Sequence, residues 1–139
     1  MELRPTVLLV EGDAADELRA RKAITNSEID CDVRIARDGL EACKMLFSED
    51  ASVPTLVLLA LELPKLNGFE VLIRIRSCAE TGRLPVIVFS SSGKKADVGK
   101  CFDLHANSYV QKNKDAELNE TRLKLLLYYW IAVNQNGHA

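Results

Sequence analysis

The chain has 139 residues, of which 47% are hydrophobic and 27% are charged. This composition is typical of one globular domain and not of a disordered chain, and a domain of this size needs no disulfide or metal ion to fold. The 18 Lys and Arg residues are opposed by 20 Asp and Glu residues, which gives a net charge of −2. Nonspecific nucleic-acid binding requires an excess of positive charge, so no nucleic-acid partner is expected.

The cysteines and the apolar runs indicate a cytoplasmic protein. The four cysteines are irregularly spaced and include no C-x-x-C pair, so we expect free thiols in a reducing compartment and no zinc site. No apolar run approaches the roughly 20 residues of a membrane span, and the N-terminal apolar stretch is too short for a signal peptide. We therefore expect no membrane partner.

The predicted elements of the first half are a strand over 6–10, a helix over 14–26, a strand over 31–36 and a helix over 40–47. The first strand is apolar throughout, which is typical of a strand buried on both faces. The second strand alternates between polar and apolar residues, as half-exposed edge strands do. Asp13 stands where an N-cap of the first helix would stand, and Asp38 with Gly39 forms a turn before the second helix.

The predicted elements of the second half are strands over 56–61, 84–89 and 108–111 and helices over 69–76, 94–104 and 116–133. The strand over 56–61 is the most apolar strand candidate of the chain. The helix over 69–76 has an apolar stripe, whereas the helix over 94–104 is largely polar.

Five strands that alternate with five helices predict an α/β fold with a doubly wound parallel sheet. No repeat or linker interrupts the pattern, so we expect one domain over 1–139, with a core over about 5–133 and a frayed polar tail over 134–139. In such a sheet the functional groups lie beyond the carboxyl ends of the strands. The residues at these ends are Glu11, Gly12, Asp13, Ala60, Glu62, Ser90 and Lys112.

Four segments at the strand ends resemble the receiver domain of two-component response regulators. They lie at 8–11, 36–42, 61–72 and 106–112, in the order found in that family, and the similarity extends over nearly the whole chain. The resemblance implies a flavodoxin-like fold with strand order 2-1-3-4-5. Residues 128–131 and the Pro64-Lys65 loop further resemble single-domain regulators that partner phytochrome-like sensor histidine kinases.

The resemblance implies a phosphoryl-transfer site, in which a carboxylate after the third strand is phosphorylated and acids after the first strand hold Mg²⁺. It assigns Ser90 and Lys112 to the phosphoryl oxygens, and Tyr109 to an aromatic switch whose ring turns inward on phosphorylation. It also assigns the phosphoacceptor position to Ala60, whose methyl group cannot attack phosphorus. The position of the direct metal ligand falls on Gly12, which has no side chain.

The nearby carboxylates do not replace the two that are missing. Glu11 and Asp13 are the remaining candidates for a metal site, and Mg²⁺ binding is expected to be weak or absent. Glu62 lies two residues beyond Ala60 and does not occupy the same point in space. We therefore expect no catalytic residue and no phosphorylation.

Each site residue also has a simpler interpretation. Lys112 could extend to water, and Ser90 could only cap a Ser-rich turn. Tyr109 could be a packed strand aromatic and not a moving part. Glu11 could be a solvated acid, and Asp13 could serve only as a helix cap.

The last helix carries two apolar stripes at helical spacing. The first, which we expect to face the sheet, consists of Leu118, Leu125, Tyr129 and Ala132. The second, which we expect to be exposed, consists of Leu123, Leu127 and Trp130. Exposed apolar patches usually mark partner contacts, so this stripe with Tyr128 predicts an interface, such as a homodimer through helix 4, strand 5 and helix 5. Packing beneath a neighbouring helix is the alternative.

Three functions are compatible with these residues. The preferred one is a non-enzymatic, receiver-like module that contacts a phytochrome-type sensor kinase or another regulator without accepting phosphate. The second is an ordinary phosphoryl-accepting regulator with an engineered Asp-to-Ala change at position 60, which the additional loss at Gly12 disfavours. The third is a small enzyme or ligand-binding domain that uses the same crevice, but no phosphate-binding loop or nucleophile–base pair supports it.

Overall fold

Five parallel strands form one sheet in a computed structural model of the protein, which describes residues 4–135 and 137. The strands are β1 (Thr6–Val10), β2 (Asp32–Ala36), β3 (Leu56–Leu59), β4 (Val86–Ser90) and β5 (Ser108–Gln111). Their order in the sheet is β2-β1-β3-β4-β5, and every neighbouring pair is parallel. The predicted fold class and strand order are confirmed.

Five α-helices connect and follow the strands. They are α1 (Ala14–Asn26), α2 (Gly39–Phe47), α3 (Gly68–Ser77), α4 (Lys95–Asp103) and α5 (Ala116–Leu127). Four of them begin where a side-chain oxygen accepts the free N–H groups of the first turn, which fixes their start. The capping residues are Asp13, Asp38, Asn67 and Asp115.

The sheet separates two hydrophobic clusters, because successive side chains of a strand point to opposite faces. The first core cluster contains Leu8, Val10 and Leu59 and is covered by α2 and α3. The second core cluster contains Leu9 and Leu58 and is covered by α1 and α5. All four residues of β3 are buried, as the apolar run there predicts.

Two strand ends differ from the predicted ones. β3 ends at Leu59, so Ala60 and Leu61 already belong to the loop that leads to α3. The Ala60 N–H still donates to Val10 O at 3.0 Å, which is the last backbone bond between these two segments. β4 instead continues to Ser90, which pairs with Gln111 of β5.

The end of the last predicted helix has a different geometry. The α-helix stops at Leu127, and the chain continues as a π-helix over Tyr128–Val133. A π-helix rotates the side chains by less per residue than an α-helix does, so the spacing used for the sequence prediction no longer applies beyond Leu127. Residues 136, 138 and 139 of the predicted tail lie outside the described residues.

The prediction of which face of the last helix is exposed is wrong. Leu123 and Leu127 are 2% and 0% exposed and belong to the second core cluster, and Trp130 packs against the same cluster. Only Tyr128 of the four predicted interface residues is exposed. The exposed stripe is the one expected inside, with Leu118, Leu125 and Tyr129. Both stripes are apolar, so their spacing alone does not tell which of them the sheet covers.

No helix in the described ranges is both long and apolar enough to cross a membrane.

Candidate functional site

The carboxyl ends of four strands meet around a small cavity of about 70 Å³. Glu11 follows β1, Ala60 follows β3, Ser90 ends β4 and Lys112 follows β5, and all four residues line this cavity. The fold therefore brings together the residues that the sequence places at these ends.

Lys112 is fixed inside the cavity by two carboxylates. Its Nζ donates hydrogen bonds to Glu11 Oε1 at 2.6 Å and to Asp16 Oδ2 at 3.0 Å. The side chains of Lys112 and Glu11 are only 12% and 7% exposed. Burial alone lowers the pKa of Lys112, but the hydrogen bonds and charges of the two carboxylates outweigh it, and the pKa is raised. The charged ammonium group is thus held by protein and does not extend to water.

Asp16 is the site residue that sequence reasoning missed. It lies in the first turn of α1, and its N–H donates to the side chain of Asp13 at 2.9 Å. The cap thereby fixes the turn that brings the Asp16 carboxylate to Lys112. A signal was present in the sequence, because an acid three residues after an N-cap lies close to the end of the preceding strand. Asp13 acts as the cap, in agreement with its simpler interpretation.

Ala60 places a methyl group at the end of β3. The residue is 5% exposed, and Gly68 packs so closely below it that an ideal Cβ on Gly68 would lie 2.3 Å from Ala60 O. Glu62 is exposed at the edge of the cavity. The end of β3 therefore presents a hydrocarbon group where the family resemblance places the phosphoacceptor.

The cavity does not fit the Mg²⁺ ion that the resemblance implies. Hard divalent cations bind several oxygen ligands, and here the Lys112 ammonium already occupies Glu11 and Asp16. An ideal Cβ on Gly12 would lie 2.9 Å from Pro64 Cδ, so a side chain at this position requires Pro64 to move. Within the part of the chain that the structure describes, no three His, Cys, Asp or Glu residues form a group that could hold a metal ion.

Pro64 is itself held in place by its neighbours. Its carbonyl oxygen accepts the N–H of Leu66 at 2.7 Å and that of Gly39 at 3.3 Å. Lys65, between them, adopts a left-handed conformation with φ of 67°, which costs a non-glycine residue energy. The loop therefore does not yield easily to a side chain at position 12.

Ser90 and Tyr109 lie on either side of the loop that follows β4. Ser90 is 3% exposed, and its Oγ accepts the N–H of Ser92 at 3.2 Å. The Tyr109 hydroxyl donates to Ser92 O at 2.7 Å, and its ring packs against the first core cluster. Both side chains are thus engaged with the protein itself.

Comparison with known proteins identifies the family. The sequence matches the family model of the response regulator receiver domain over residues 7–124, which include β2 to β5 and all of β1 except its first residue. The response regulator Rcp1 of Synechocystis sp. (strain ATCC 27184 / PCC 6803 / Kazusa) is 37% identical over 113 residues, which are 78% of this chain and 77% of Rcp1.

Solved structures of similar proteins agree with this match. The phosphorylated cyanobacterial phytochrome response regulator RcpA has a TM-score of 0.91 at 33% identity, covering 97% of this chain and 99% of RcpA. The bacteriophytochrome response regulator RtBRR has a TM-score of 0.76 at 31% identity, covering 96% of this chain and 84% of RtBRR. This chain belongs to the response regulator receiver family.

Proposed function

We propose that this chain signals by protein contact and does not accept a phosphoryl group. The observation that carries the proposal is the methyl group of Ala60 at the end of β3, in a cavity whose lysine is already bound by two carboxylates. Phosphoryl transfer to a protein side chain needs a nucleophilic oxygen and cations that are free to neutralise the transferred group. At the end of β3 the cavity offers no such oxygen, and its lysine is already paired with Glu11 and Asp16.

Lys112 is the second obstacle to phosphorylation. To bind a phosphoryl oxygen, its ammonium group would have to leave Glu11 and Asp16, which it contacts at 2.6 Å and 3.0 Å. Glu11 is even more buried than Lys112, so this movement would leave a carboxylate without its charged partner in a poorly solvated place.

The similar proteins support a phytochrome-type sensor histidine kinase as the class of partner. RcpA is a phytochrome response regulator, and RtBRR is a bacteriophytochrome response regulator. A chain of this family that cannot be phosphorylated would bind such a kinase, or another regulator of the same pathway, in the cytoplasm. It would occupy the partner without removing its phosphoryl group.

Exposed apolar side chains on α4, on α5 and on the π-helix that follows α5 support partner contacts, including a homodimer. These side chains are Phe102 (49% exposed), Leu118 (36%), Leu125 (64%), Tyr128 (59%) and Tyr129 (49%). Large apolar and aromatic groups that remain exposed on a small domain are typical of partner surfaces. We therefore propose that the interface is formed by these exposed side chains and not by Leu123 and Leu127.

Incubation with acetyl phosphate, or with a phytochrome-type kinase and ATP, followed by intact mass spectrometry tests the proposal. We expect no phosphoryl adduct on this chain, while a receiver domain with an intact aspartate is modified in the same mixture. A stable adduct on the folded chain would contradict the proposal.

The variants Ala60→Asp and Gly12→Asp/Ala60→Asp separate natural loss from an engineered change. We expect Ala60→Asp to remain unmodified, because Lys112 stays bound and position 12 supplies no metal ligand. Efficient phosphorylation of Ala60→Asp alone would instead support an ordinary regulator in which alanine was introduced at position 60.

Sedimentation velocity at tens of micromolar tests the proposed dimer. We expect a mass above that of the monomer for the unmodified chain, and a lower mass for the Leu125→Ala/Tyr129→Ala variant. Leu18→Ala is the matched control, because Leu18 is 57% exposed but lies on α1. A monomer in all three samples would remove the homodimer from the proposal.

A further inference from the structure

A cleft of about 720 Å³ opens beside the cavity at Ala60 and is bounded by the start of α1, the end of β5 and the first half of α5. It shares three lining residues with that cavity, but Ala60 itself does not line it. Four of its ten lining residues are cationic, namely Arg19, Lys112, Lys114 and Arg122, whereas Asp16 is the one carboxylate among them. We call it the basic cleft, since the chain as a whole has a net charge of −2.

The carboxylate of the basic cleft is already neutralised. Asp16 Oδ2 accepts from Lys112 Nζ at 3.0 Å, and Asp16 Oδ1 lies 3.4 Å from Arg19 Nη1. Lys114 and Arg122 form no ion pair with any residue that the structure describes. A cleft lined by charges of one sign concentrates ions of the opposite sign, so the remaining excess favours an anion.

Hydrogen bonds fix the backbone that carries these cations. The Asn113 N–H donates to Asn119 Oδ1 at 2.7 Å, and Asn119 Nδ2 donates to Asn113 O at 2.7 Å. These reciprocal bonds tie the loop with Lys114 to α5. Arg122 Nη1 donates to Gln111 O at 3.0 Å, which holds the guanidinium group against the end of β5. An anion therefore meets a backbone that is already ordered, which lowers the cost of binding.

The directions of the cations favour a phosphate-type dianion. Arg19 belongs to α1, Lys114 to the loop after β5 and Arg122 to α5, so the charges approach from three elements. A phosphate group presents three acceptor oxygens in different directions, whereas a carboxylate pairs with one guanidinium group in a plane. None of the described lining residues is aromatic, so the cleft offers no stacking surface to a nucleobase.

We propose that the basic cleft binds a phosphate-type dianion without forming a covalent bond to it. The dianion is either a free phosphate ester or a phosphoryl group carried by a side chain of a partner. This inference goes beyond signalling by protein contact, because it gives the chain a state that depends on a ligand. An empty cleft is cationic, and an occupied cleft beside Lys112 is close to neutral.

Titration of the full chain with inorganic phosphate at constant ionic strength, followed by the amide signals in NMR spectra, tests the site. We expect saturable shifts over 16–19 and 111–122. The Arg19→Gln/Lys114→Gln variant should bind phosphate roughly tenfold more weakly, because two charged donors are lost. Both side chains are exposed, so the variant should keep the fold, which its amide spectrum checks.

The matched control is Arg21→Gln/Lys44→Gln. It removes one Arg from α1 and one exposed Lys from α2, and neither residue lines the basic cleft. Its phosphate affinity should equal that of the unmodified chain. Equal weakening in the two double variants, shifts centred on 60–62, or no saturable shift would overturn the proposal.

Two further arms distinguish the sources of the dianion. Tighter binding of glycerol 3-phosphate than of inorganic phosphate supports a free ester. Tighter binding of a phosphorylated than of an unphosphorylated sensor kinase, lost in Arg19→Gln/Lys114→Gln, supports a phosphoryl group on the partner. If neither ligand binds more tightly than inorganic phosphate, the cleft is a nonspecific cationic patch and the proposal is wrong. A phosphoryl adduct after incubation with acetyl phosphate would contradict the proposed function and not this site, which forms no covalent bond.

Discussion

Replacement of Lys112 by methionine tests how much the buried ammonium group in the cavity contributes to the stability of the protein. Methionine has a similar length and no charge, so Lys112→Met removes both ion pairs while it keeps most of the packing against Phe89, whose ring lies 5.6 Å from Nζ. The carboxylate of Glu11, 7% exposed, is then left with the N–H of Asp13 at 3.2 Å as its hydrogen-bond partner among those described.

The size of the effect follows from burial. Breaking a fully buried ion pair costs about 3–5 kcal/mol because the remaining charge is poorly solvated. Asp16 is 33% exposed and can be rehydrated, so most of the cost comes from Glu11. We expect Lys112→Met to lose about 2–4 kcal/mol of unfolding free energy, a large fraction of the roughly 5–15 kcal/mol of a typical domain. Asp16→Asn should lose about 1 kcal/mol.

Urea unfolding at several pH values measures this cost. At high pH the sign follows from the raised pKa of Lys112. The stability that the pairs contribute is complete below the unfolded pKa of about 10.4 and is lost as the pH rises through the folded pKa, so the two proteins should converge there.

The control is Lys124→Met, which breaks the exposed pair with Glu120 at 3.6 Å. It should change the stability by less than about 0.5 kcal/mol. If Lys112→Met loses no more unfolding free energy than this control, Lys112 is not held as a buried charge. The argument that Lys112 opposes phosphorylation would then be wrong, as would the electrostatic description of the cavity.

Three further predictions concern the scaffold around the site. Arg76→Met should lose about 2–3 kcal/mol in urea unfolding, because the guanidinium group donates to Leu84 O at 2.7 Å and to Asn107 Oδ1 at 2.7 Å; a loss below 1 kcal/mol would contradict this. Gly68→Ala should lower the midpoint of thermal unfolding by roughly 5 °C or more, because its Cβ would collide with a backbone oxygen at 2.3 Å. Burial raises the pKa of the Cys101 thiol to about 11, so peptide mapping after alkylation at pH 8 should find the half-buried Cys78 labelled and Cys101 unlabelled until the chain unfolds.

The sequence was informative where local chemistry decides the structure. The apolar run at Thr6–Val10 and the acidic residues that follow it define β1 and the capped start of α1 to the residue. The meeting of Ala60, Ser90 and Lys112 also follows from strand order, because parallel strands end at the same edge of the sheet.

The remaining features depend on packing between distant segments. Whether Lys112 turns to water or to protein depends on Asp16, whose carboxylate is brought to it by the first turn of α1. The exposed face of α5 depends on how the helix is rotated against α1, and two apolar stripes fit equally well by spacing. The π-helical turn after Leu127 changes the direction of the side chains over 128–133. No single residue in this range predicts a π-helix.

The second core cluster has a consequence for how the chain matures. Its strand residues, such as Leu9 and Leu58, are made early, but Leu123 and Leu127, which cover them, follow all five strands in the sequence. While the protein emerges from the ribosome, one face of the sheet therefore stays apolar and exposed until Leu123 and Leu127 have also emerged. Premature termination before Leu123 should leave a fragment with an exposed apolar face. We expect this fragment to aggregate or to be degraded and not to form a smaller functional domain.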